Sequence, residues 1–323
     1  MKKIIAICFV AMFIFTGFAK AGTWPASGSW TYLEMPAEFG AVNAYALKID
    51  GQNIVGYYNQ GTDASNQCFF YDGTNWSTVD NIAGATSMYV LGIDGTNYVG
   101  SYTDASYVSH GFMKIGANLT ILDVDVAVGT DTYVSNISGN KIVGSYVDVE
   151  GANQGFIYDR VSGTYDYTSL LKTGAVSLNP NSIDGSNVIG EYFGGGNSHN
   201  FLYDGVNWNT NPDALLKGDV TRLFDINGSN IIGDYTNSLG LHNFLHDGTT
   251  FYDLPNVNVT GAIKTSFSGI SGDNAVGWYR DSSGNDRMFV YNMITVIVSE
   301  PSTLALLIIA TSMYAFFSSR KKH

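Results

Sequence analysis

The sequence predicts an all-β protein, a six-bladed β-propeller with four-stranded antiparallel blades. One pattern predicts the repeat: Ile-Asp-Gly-x-Asn-Ile-Val-Gly-x-Tyr, in its clearest form, begins at Ile49, Ile93, Ile137, Ile183, Ile226 and Ile270. Its spacing of 43 to 46 residues indicates a propeller or solenoid, in which each repeat buries apolar surface against its neighbours. The 37 Gly, 21 Tyr and 18 Phe, with only 14% charged residues, fit many short strands joined by tight turns.

Each repeat contains four candidate strands. In the first repeat, residues 44–47 lead into an Asp-Gly turn, which has hairpin chemistry, and Gly-x-Tyr ends the second strand. Adjacent apolar residues in strands two and three predict sheets that are covered on both faces. The Gly of Gly-x-Tyr is expected to give room for a neighbour's aromatic ring. The third strands place six phenylalanines at equivalent buried positions: Phe69, Phe112, Phe156, Phe201, Phe244 and Phe289.

A leftover strand at the start of the repeats predicts how the ring closes. Residues 30–33, Trp-Thr-Tyr-Leu, are similar to the fourth strands of later repeats, such as residues 76–80, and would complete the last blade. The alternative closure uses residues 294–298. A β-solenoid is the second architecture considered, but it needs capping repeats, and none stand out. An outer-membrane barrel is third, because its strands need about 9–11 residues and the candidate strands of this chain are shorter.

Both ends of the chain predict export. Residues 1–21 have a basic start, an apolar run and a small-x-small site at Ala19 and Ala21, which is typical of a secretory signal peptide. A membrane anchor at this end is less favoured because the apolar run is short for a membrane span. A lipoprotein is also less favoured, because Cys8 lies inside the apolar run and not at its end. Residues 22–29 are predicted as a lead-in and residues 30–298 as the propeller.

The C-terminal tail, residues 299–323, contains a predicted transmembrane helix at residues 302–319. Eighteen residues span about 27 Å as a helix, just enough to cross a bilayer. The basic cluster that follows holds this end in the cytoplasm. The residues that carry this prediction are Ser299, Glu300, Pro301, Ser302, Thr303, Arg320, Lys321 and Lys322.

The order of these parts resembles the PEP-CTERM sorting signal of Gram-negative bacteria, although Ser299 replaces the usual first proline. The resemblance implies recognition by an exosortase-type transpeptidase, a transient stay in the inner membrane, release to the cell surface or extracellular matrix, and a host that makes an extracellular polysaccharide. Residues 30–291 are similar to HAF-type extracellular repeats, on the strand Ser198–Gly205 and the repeated Gly-x-Tyr strand. That resemblance implies a propeller-like fold without assigned chemistry.

Charge and cysteine content limit the partners. Residues 22–299 carry ten Lys/Arg and 27 Asp/Glu, a net charge of −17, against −12 for the whole chain. This charge disfavours nucleic acid and anionic membranes, and suits cations or neutral glycans; solubility is the plainer explanation. Cys68 stands alone in the body, so neither a disulfide framework nor a thiolate metal site is predicted.

Histidines and acids offer candidate metal ligands. His110, His199 and His242 occupy the same position in three different blades, too far apart to share an ion, so they are interpreted as repeat residues that cap a strand. Two groups of acids are candidate calcium ligands, but neither matches a calcium-binding loop, and both are better explained as turn residues. These groups are Asp123, Asp125 and Asp131, and Asp281 with Asp286. Asp50, Asp94 and Asp184 are likewise interpreted as turn residues.

No catalytic, cofactor-binding or metal-binding residues are predicted. The leading hypothesis is a non-enzymatic surface or matrix protein whose propeller binds a glycan or another envelope component. One alternative is a propeller enzyme that acts on extracellular polysaccharide through a carboxylate pair on one rim. Another is an envelope protein that the tail anchors permanently in the membrane.

Overall fold

The computed structural model describes residues 22–61, 65–125, 129–209 and 220–297. The predicted signal peptide, residues 1–21, and the sorting tail, residues 299–323, lie outside them. In the described part of the chain, no helix is long and apolar enough to cross a membrane. Within the described residues, Ser27–Ile294 form one compact unit, which is the propeller.

The structure confirms six four-stranded antiparallel sheets, and each sheet is one blade. Blade 1 is β2 (Asn43–Asp50), β3 (Asn53–Asn59), β4 (Gln67–Tyr71) and β5 (Trp76–Thr78); blade 2 is β6 (Ser87–Asp94), β7 (Asn97–Thr103), β8 (Ser109–Ile115) and β9 (Asn118–Ile121); blade 3 is β10 (Gly129–Ser138), β11 (Lys141–Asp148), β12 (Asn153–Asp159) and β13 (Thr164–Asp166). Blade 4 is β14 (Ala175–Asp184), β15 (Asn187–Gly194), β16 (Asn197–Tyr203) and β17 (Trp208–Asn209); blade 5 is β18 (Val220–Asn227), β19 (Asn230–Asn237), β20 (Gly240–His246) and β21 (Phe251–Leu254); blade 6 is β22 (Lys264–Ser271), β23 (Asn274–Arg280), β24 (Asp286–Ile297) and β1 (Gly22–Leu33).

The N-terminal strand closes the ring, as the sequence predicts. β1 pairs with β24 at the edge of blade 6. The Trp30 ring lies 5.0 Å from Phe289, as Trp76 lies 5.2 Å from Phe69 in blade 1. The alternative closure is wrong, because residues 294–297 continue β24 itself. β1 also begins at Gly22, so residues 22–29 are strand rather than a separate lead-in.

The blade core is the same in every repeat. All six third-strand phenylalanines are buried, with at most 1% of their surface exposed. Each faces a Gly-x-Tyr glycine across the sheet, as Phe69 faces Gly56. A Cβ atom on Gly56 would lie 1.9 Å from the Tyr45 carbonyl oxygen and 2.9 Å from the Phe69 ring. The glycine therefore makes room for the ring of its own blade's third strand and for the first strand's backbone.

The Ile-Asp-Gly turns lie at one end of the axis, which we call the hairpin face; the connections between second and third strands lie at the opposite end, the loop face. Every turn binds the next blade, because its Asp, Asn or Ser side chain accepts a hydrogen bond from the backbone N–H of that blade's turn glycine. The six pairs are Asp50 with Gly95, Asp94 with Gly139, Ser138 with Gly185, Asp184 with Gly228, Asn227 with Gly272 and Ser271 with Gly51, at 2.5–3.0 Å. These residues form the hairpin ring, and it is complete around the six blades.

Candidate functional site

A β-bulge in each innermost strand directs two consecutive residues of each repeat toward the axis. The residues nearer the hairpin face form a layer that we call the axial plug: Lys48, Gly92, Asn136, Ser182, Asp225 and Gly269. The residues before them form the layer above: Leu47, Leu91, Ser135, Asn181, Phe224 and Ser268. Unlike the hairpin ring, whose side chains are all Asp, Asn or Ser, these layers combine charged, polar and apolar side chains with glycine.

Lys48 and Asp225 form a buried ion pair inside the plug. The Lys48 Nζ donates to Asp225 Oδ1 at 2.6 Å and to the Phe224 carbonyl oxygen at 2.8 Å. Asp225 also accepts from the Ser182 hydroxyl at 2.6 Å and from the Ile270 N–H at 2.8 Å. Burial lowers the pKa of Lys48, while the Asp225 charge opposes that shift. Such a pair is stable only when its remaining hydrogen bonds are satisfied, as they are at Asp225.

Two glycines make room for neighbouring strands in the plug. Blade 1 lies between blades 6 and 2, whose plug residues are Gly269 and Gly92. A Cβ atom on Gly269 would lie 2.9 Å from Lys48 Cα, and one on Gly92 would lie 2.6 Å from Asn136 Cα. Any larger residue at either position would collide with the neighbouring strand, so these glycines permit the close packing of the plug.

Lys48 separates two cavities on the axis. The cavity toward the hairpin face has about 60 Å³, room for one or two waters at roughly 30 Å³ each. The cavity toward the loop face, the axial pocket, has about 390 Å³ and is lined by residues from all six blades. Among the residues that the structure describes, Lys48 is the one that lines both. The axial pocket is therefore blind, and its size falls within the usual range for ligand sites of about 300–1,000 Å³.

Aromatic rings extend from the wall of this pocket across three blades. Trp278 lines the pocket, and its ring lies 5.3 Å from Tyr45. Tyr45 stacks on Tyr57 at 4.6 Å, and Tyr57 meets Tyr89 of the next blade at 5.3 Å. These four half-buried rings, which we call the aromatic arc, cover blades 6, 1 and 2. Burial raises the pKa of Tyr57 to about 12, with Tyr89 and Asp286 adding to the shift, so its hydroxyl stays protonated.

Arginines neutralise the acids at the mouth of the pocket. The Arg280 guanidinium binds both oxygens of the buried Asp286 at 2.8 Å, and Tyr45 donates a further hydrogen bond to that carboxylate. In blade 5, Arg222 binds both oxygens of the buried Asp234, at 2.9 and 2.6 Å. These bonds raise the pKa of both arginines.

One further cation lies at the mouth. The Lys264 ammonium sits 4.6 Å from the centre of the Trp278 ring, which is within the range of a cation–π interaction. The exposed Glu191 of blade 4 carries one negative charge near Arg222. The formal charges of these six described residues cancel, although the protein is strongly acidic.

The histidines behave as repeat residues. Each stacks on the Gly-x-Tyr tyrosine of its own blade: His110 on Tyr102 at 4.8 Å, His199 on Tyr192 at 5.0 Å, and His242 on Tyr235 at 5.0 Å. The prediction that they occupy equivalent positions in three blades is confirmed. Among the residues that the structure describes, no three His, Cys, Asp or Glu side chains are grouped to hold a metal ion.

The candidate calcium acids have separate partners. Asp123 pairs with His110 at 2.8 Å, and Asp131 accepts from the Ser109 N–H at 2.8 Å. The backbone carbonyl of Asp125 accepts from the Gly129 N–H. Asp281 is a turn acid, as predicted, because it accepts from two N–H groups of its own loop.

The turn interpretation is wrong for Asp286. It is a buried ion-pair residue at the start of β24, 2% exposed, rather than a loop acid. Asp50, Asp94 and Asp184 do lie in turns, but each also joins two blades. Cys68 is buried and donates to the Met88 carbonyl oxygen, and burial raises the pKa of its thiol to about 11.

Comparisons with known proteins give fold likenesses only. No protein-family model matches the chain, and no curated protein matches it. The β-propeller domain of the Trilobed protease from Pyrococcus furiosus is similar at 10% identity, over 78% of this chain and 95% of that one, with a TM-score of 0.45. TolB from Acinetobacter baumannii is similar at 14% identity, over 81% and 66%, with a TM-score of 0.47. A fucose-specific lectin from Aleuria aurantia is similar at 10% identity, over 85% and 100%, with a TM-score of 0.46. The six-bladed architecture rests on the sheet order of this chain and not on these likenesses.

Proposed function

We propose that this chain is an exported, non-enzymatic binding protein whose propeller holds a neutral glycan at the axial pocket. The observation that carries this proposal is the aromatic arc at the mouth of a blind pocket. Three tyrosines and one tryptophan offer flat apolar surface with polar hydroxyl edges, which suits a ligand with apolar faces and hydroxyl rims. The pocket wall adds a few polar groups, Ser135, Asn181 and Ser266, as ligand sites usually do.

The charges at the mouth favour a neutral ligand. Arg222 and Arg280 are each held by a carboxylate, Glu191 adds a negative charge near Arg222, and Lys264 lies on the Trp278 ring. An anionic ligand would meet a protein whose body carries a net charge of −17. Neutral sugars avoid that repulsion, and they gain from stacking on the arc.

The carboxylates favour binding over hydrolysis. Most glycosidases need two carboxyl groups that reach the scissile bond, one of them free to donate a proton. Asp234 and Asp286 are instead each engaged by two hydrogen bonds from an arginine. The polysaccharide-degrading alternative therefore has less support than glycan binding.

A glycan array tests this function. The purified full-length chain should bind at least one neutral glycan, and Trp278→Ala should reduce that binding at least tenfold. Tyr107→Ala is the matched control, because this tyrosine is also aromatic and 88% exposed but lies outside the arc. Release of free sugar from the bound glycan would show an enzyme and overturn the proposal.

The ends of the chain carry the export part of the proposal. The signal-like residues 1–21 direct the chain across the inner membrane, and the tail from Ser299 holds it there until an exosortase-type transpeptidase cuts near Pro301. Proline breaks regular structure just before the predicted helix, which leaves an extended stretch for the enzyme. The propeller would then reach the cell surface or matrix without an anchor.

Mass spectrometry of the mature C-terminus tests the tail. The wild-type protein should be shorter by roughly 20 residues, about one transmembrane helix. Pro301→Ala, or deletion of residues 299–303, should leave the full-length chain in the inner-membrane fraction. A wild-type protein that still ends at His323 would show the permanent anchor instead.

A further inference from the structure

We propose that the axial pocket recognises the end of a glycan chain and not an internal segment. This inference rests on the proposed function and adds the part of the ligand that is bound. It depends on the plug, because a site that is closed at the bottom differs from a groove that a chain can enter and leave.

The plug closes the axis below the pocket. Lys48 reaches across from blade 1 to blade 5, and its ammonium is fixed there by the Asp225 carboxylate and the Phe224 carbonyl oxygen. Asn136 donates to Ser182 at 2.6 Å and fills the side of blades 3 and 4. Because both Lys48 and Asp225 are more than nine-tenths buried, no chain of sugars passes between them.

Lys48 lines the floor of the pocket, and its ammonium is a hydrogen-bond donor. A lysine ammonium has three N–H donors, and two of those on Lys48 have partners in the structure. Buried polar groups nearly always find partners, so the third donor calls for an oxygen acceptor. A hydroxyl oxygen of a terminal sugar supplies one, whereas a chain lying across the mouth does not reach the floor.

The pocket has the size for the terminal sugar, and the aromatic arc has the extent for the sugars that follow it. The cavity of about 390 Å³ is at the small end of ligand pockets, which suits a terminal unit that enters end-on. The aromatic arc begins at the Trp278 wall and runs outward over blades 1 and 2. The following sugars can stack along this arc, so the terminal unit sets specificity and the arc adds affinity.

The test uses glycan arrays in which each sequence is printed in both orientations, through its reducing or its non-reducing end. For every sequence that binds, a second version carries one additional sugar of a different kind at the free end. End recognition predicts that this extension reduces binding at least tenfold. It also predicts one protein per chain end in solution, measured by calorimetry with the unprinted oligosaccharide.

A variant in the pocket wall and its control test whether the glycan binds at the axial pocket. Ser135→Leu places bulk inside the pocket, at a residue that makes no hydrogen bond in the plug, and should abolish binding while the melting temperature stays within a few degrees. Ser162→Leu, on an exposed turn at the edge of blade 3, should bind like the wild type.

Each outcome decides between the two proposals. Undiminished binding of the extended glycans, or several proteins bound along one chain, overturns end recognition and leaves glycan binding intact. Absence of binding to every glycan in both orientations overturns the proposed function and end recognition with it. Loss of binding on extension, together with loss in Ser135→Leu, supports both.

Discussion

In each repeat a single isoleucine separates the axial-plug residue from the hairpin-ring residue, yet the two sets follow opposite rules. In the hairpin ring, six side chains make the same hydrogen bond to the next blade, although Asp, Asn and Ser alternate. In the plug, a lysine, an aspartate, an asparagine, a serine and two glycines form one asymmetric network across the axis. The residues that recur in every repeat form the hairpin ring, and the residues that differ between repeats form the axial plug.

This difference has a physical origin. A bond between neighbouring blades has the same geometry at every interface, so a repeated residue satisfies all six. Residues that meet on the axis share one space, and six copies of a lysine or an aspartate there would place like charges together without partners. A paired charge network on the axis therefore requires that the repeats differ.

The largest effect is expected in the repeated core. Phe201→Ala should lower the free energy of unfolding by about 3–5 kcal/mol, because the fully buried ring leaves a cavity. Phe193→Ala in the same blade is the control, because that ring is 41% exposed, and it should cost much less. Chemical denaturation measures both. Equal losses for the two variants would contradict the core packing.

The plug should be nearly as sensitive, but only to changes that leave a charge unpaired. Lys48→Met should destabilise the fold by about 3 kcal/mol, since it leaves Asp225 buried without its cation. The double variant Lys48→Met with Asp225→Leu removes both charges and should recover most of that loss in the same denaturation assay. A double variant no more stable than the single one would show that packing, and not charge pairing, sets the cost.

Single bonds of the hairpin ring should contribute little and equally. Asp50→Ala, Asp94→Ala and Ser138→Ala should each cost about 1 kcal/mol, the usual net value of one hydrogen bond. Their melting temperatures should therefore agree closely. Widely different melting temperatures among these three variants would contradict the expected difference from the plug. In the plug, substitutions at Gly92, Asn136 and Asp225 are expected to lower the free energy of unfolding by unequal amounts.

The smallest effect concerns pH. Burial lowers the pKa of His246, whose Nε2 has no hydrogen-bond partner within the described ranges. An unfolded histidine titrates near about pH 6.5, so the unfolded chain binds a proton there that the folded chain does not, and stability falls as the pH drops below that value. His246→Tyr installs the residue found at this place in blade 4, Tyr203. Thermal melts at about pH 7 and about pH 5 should show a smaller acid loss for the variant than for the wild type. Equal losses of thermal stability in the variant and the wild type would show that His246 does not contribute to the acid sensitivity.

Periodic features of this fold are readable in the sequence. The blade count, the third-strand phenylalanines and the closing strand at Trp30 all depend on interactions that recur at a fixed spacing. The burial of Phe244, for example, is predicted because phenylalanine recurs at the same position in the other repeats.

The axial site was not predicted, for the same reason. Lys48 and Asp225 are 177 residues apart and share no pattern, since each position in the plug is the exception within its repeat. Asp286 was misassigned because it follows a turn acid closely in sequence, whereas its partners Arg280 and Tyr45 are set by strand pairing and by the contact between blades 6 and 1. A usable signal was present: the position directly before the first isoleucine of each repeat holds a polar residue in four repeats and glycine in two.

The central claim is that ligand binds where the repeats diverge, and the five tryptophans allow a direct test. Trp30, Trp76 and Trp208 lie in the outer strands, and Trp278 lies at the axial pocket. In a ¹⁹F NMR titration of the 5-fluorotryptophan-labelled chain, with signals assigned by Trp→Phe variants, a glycan that binds on the array should shift the Trp278 signal and leave those of Trp30, Trp76 and Trp208 in place. Shifts at the outer-strand tryptophans with an unchanged Trp278 signal would place the ligand on the repeated frame and contradict the account.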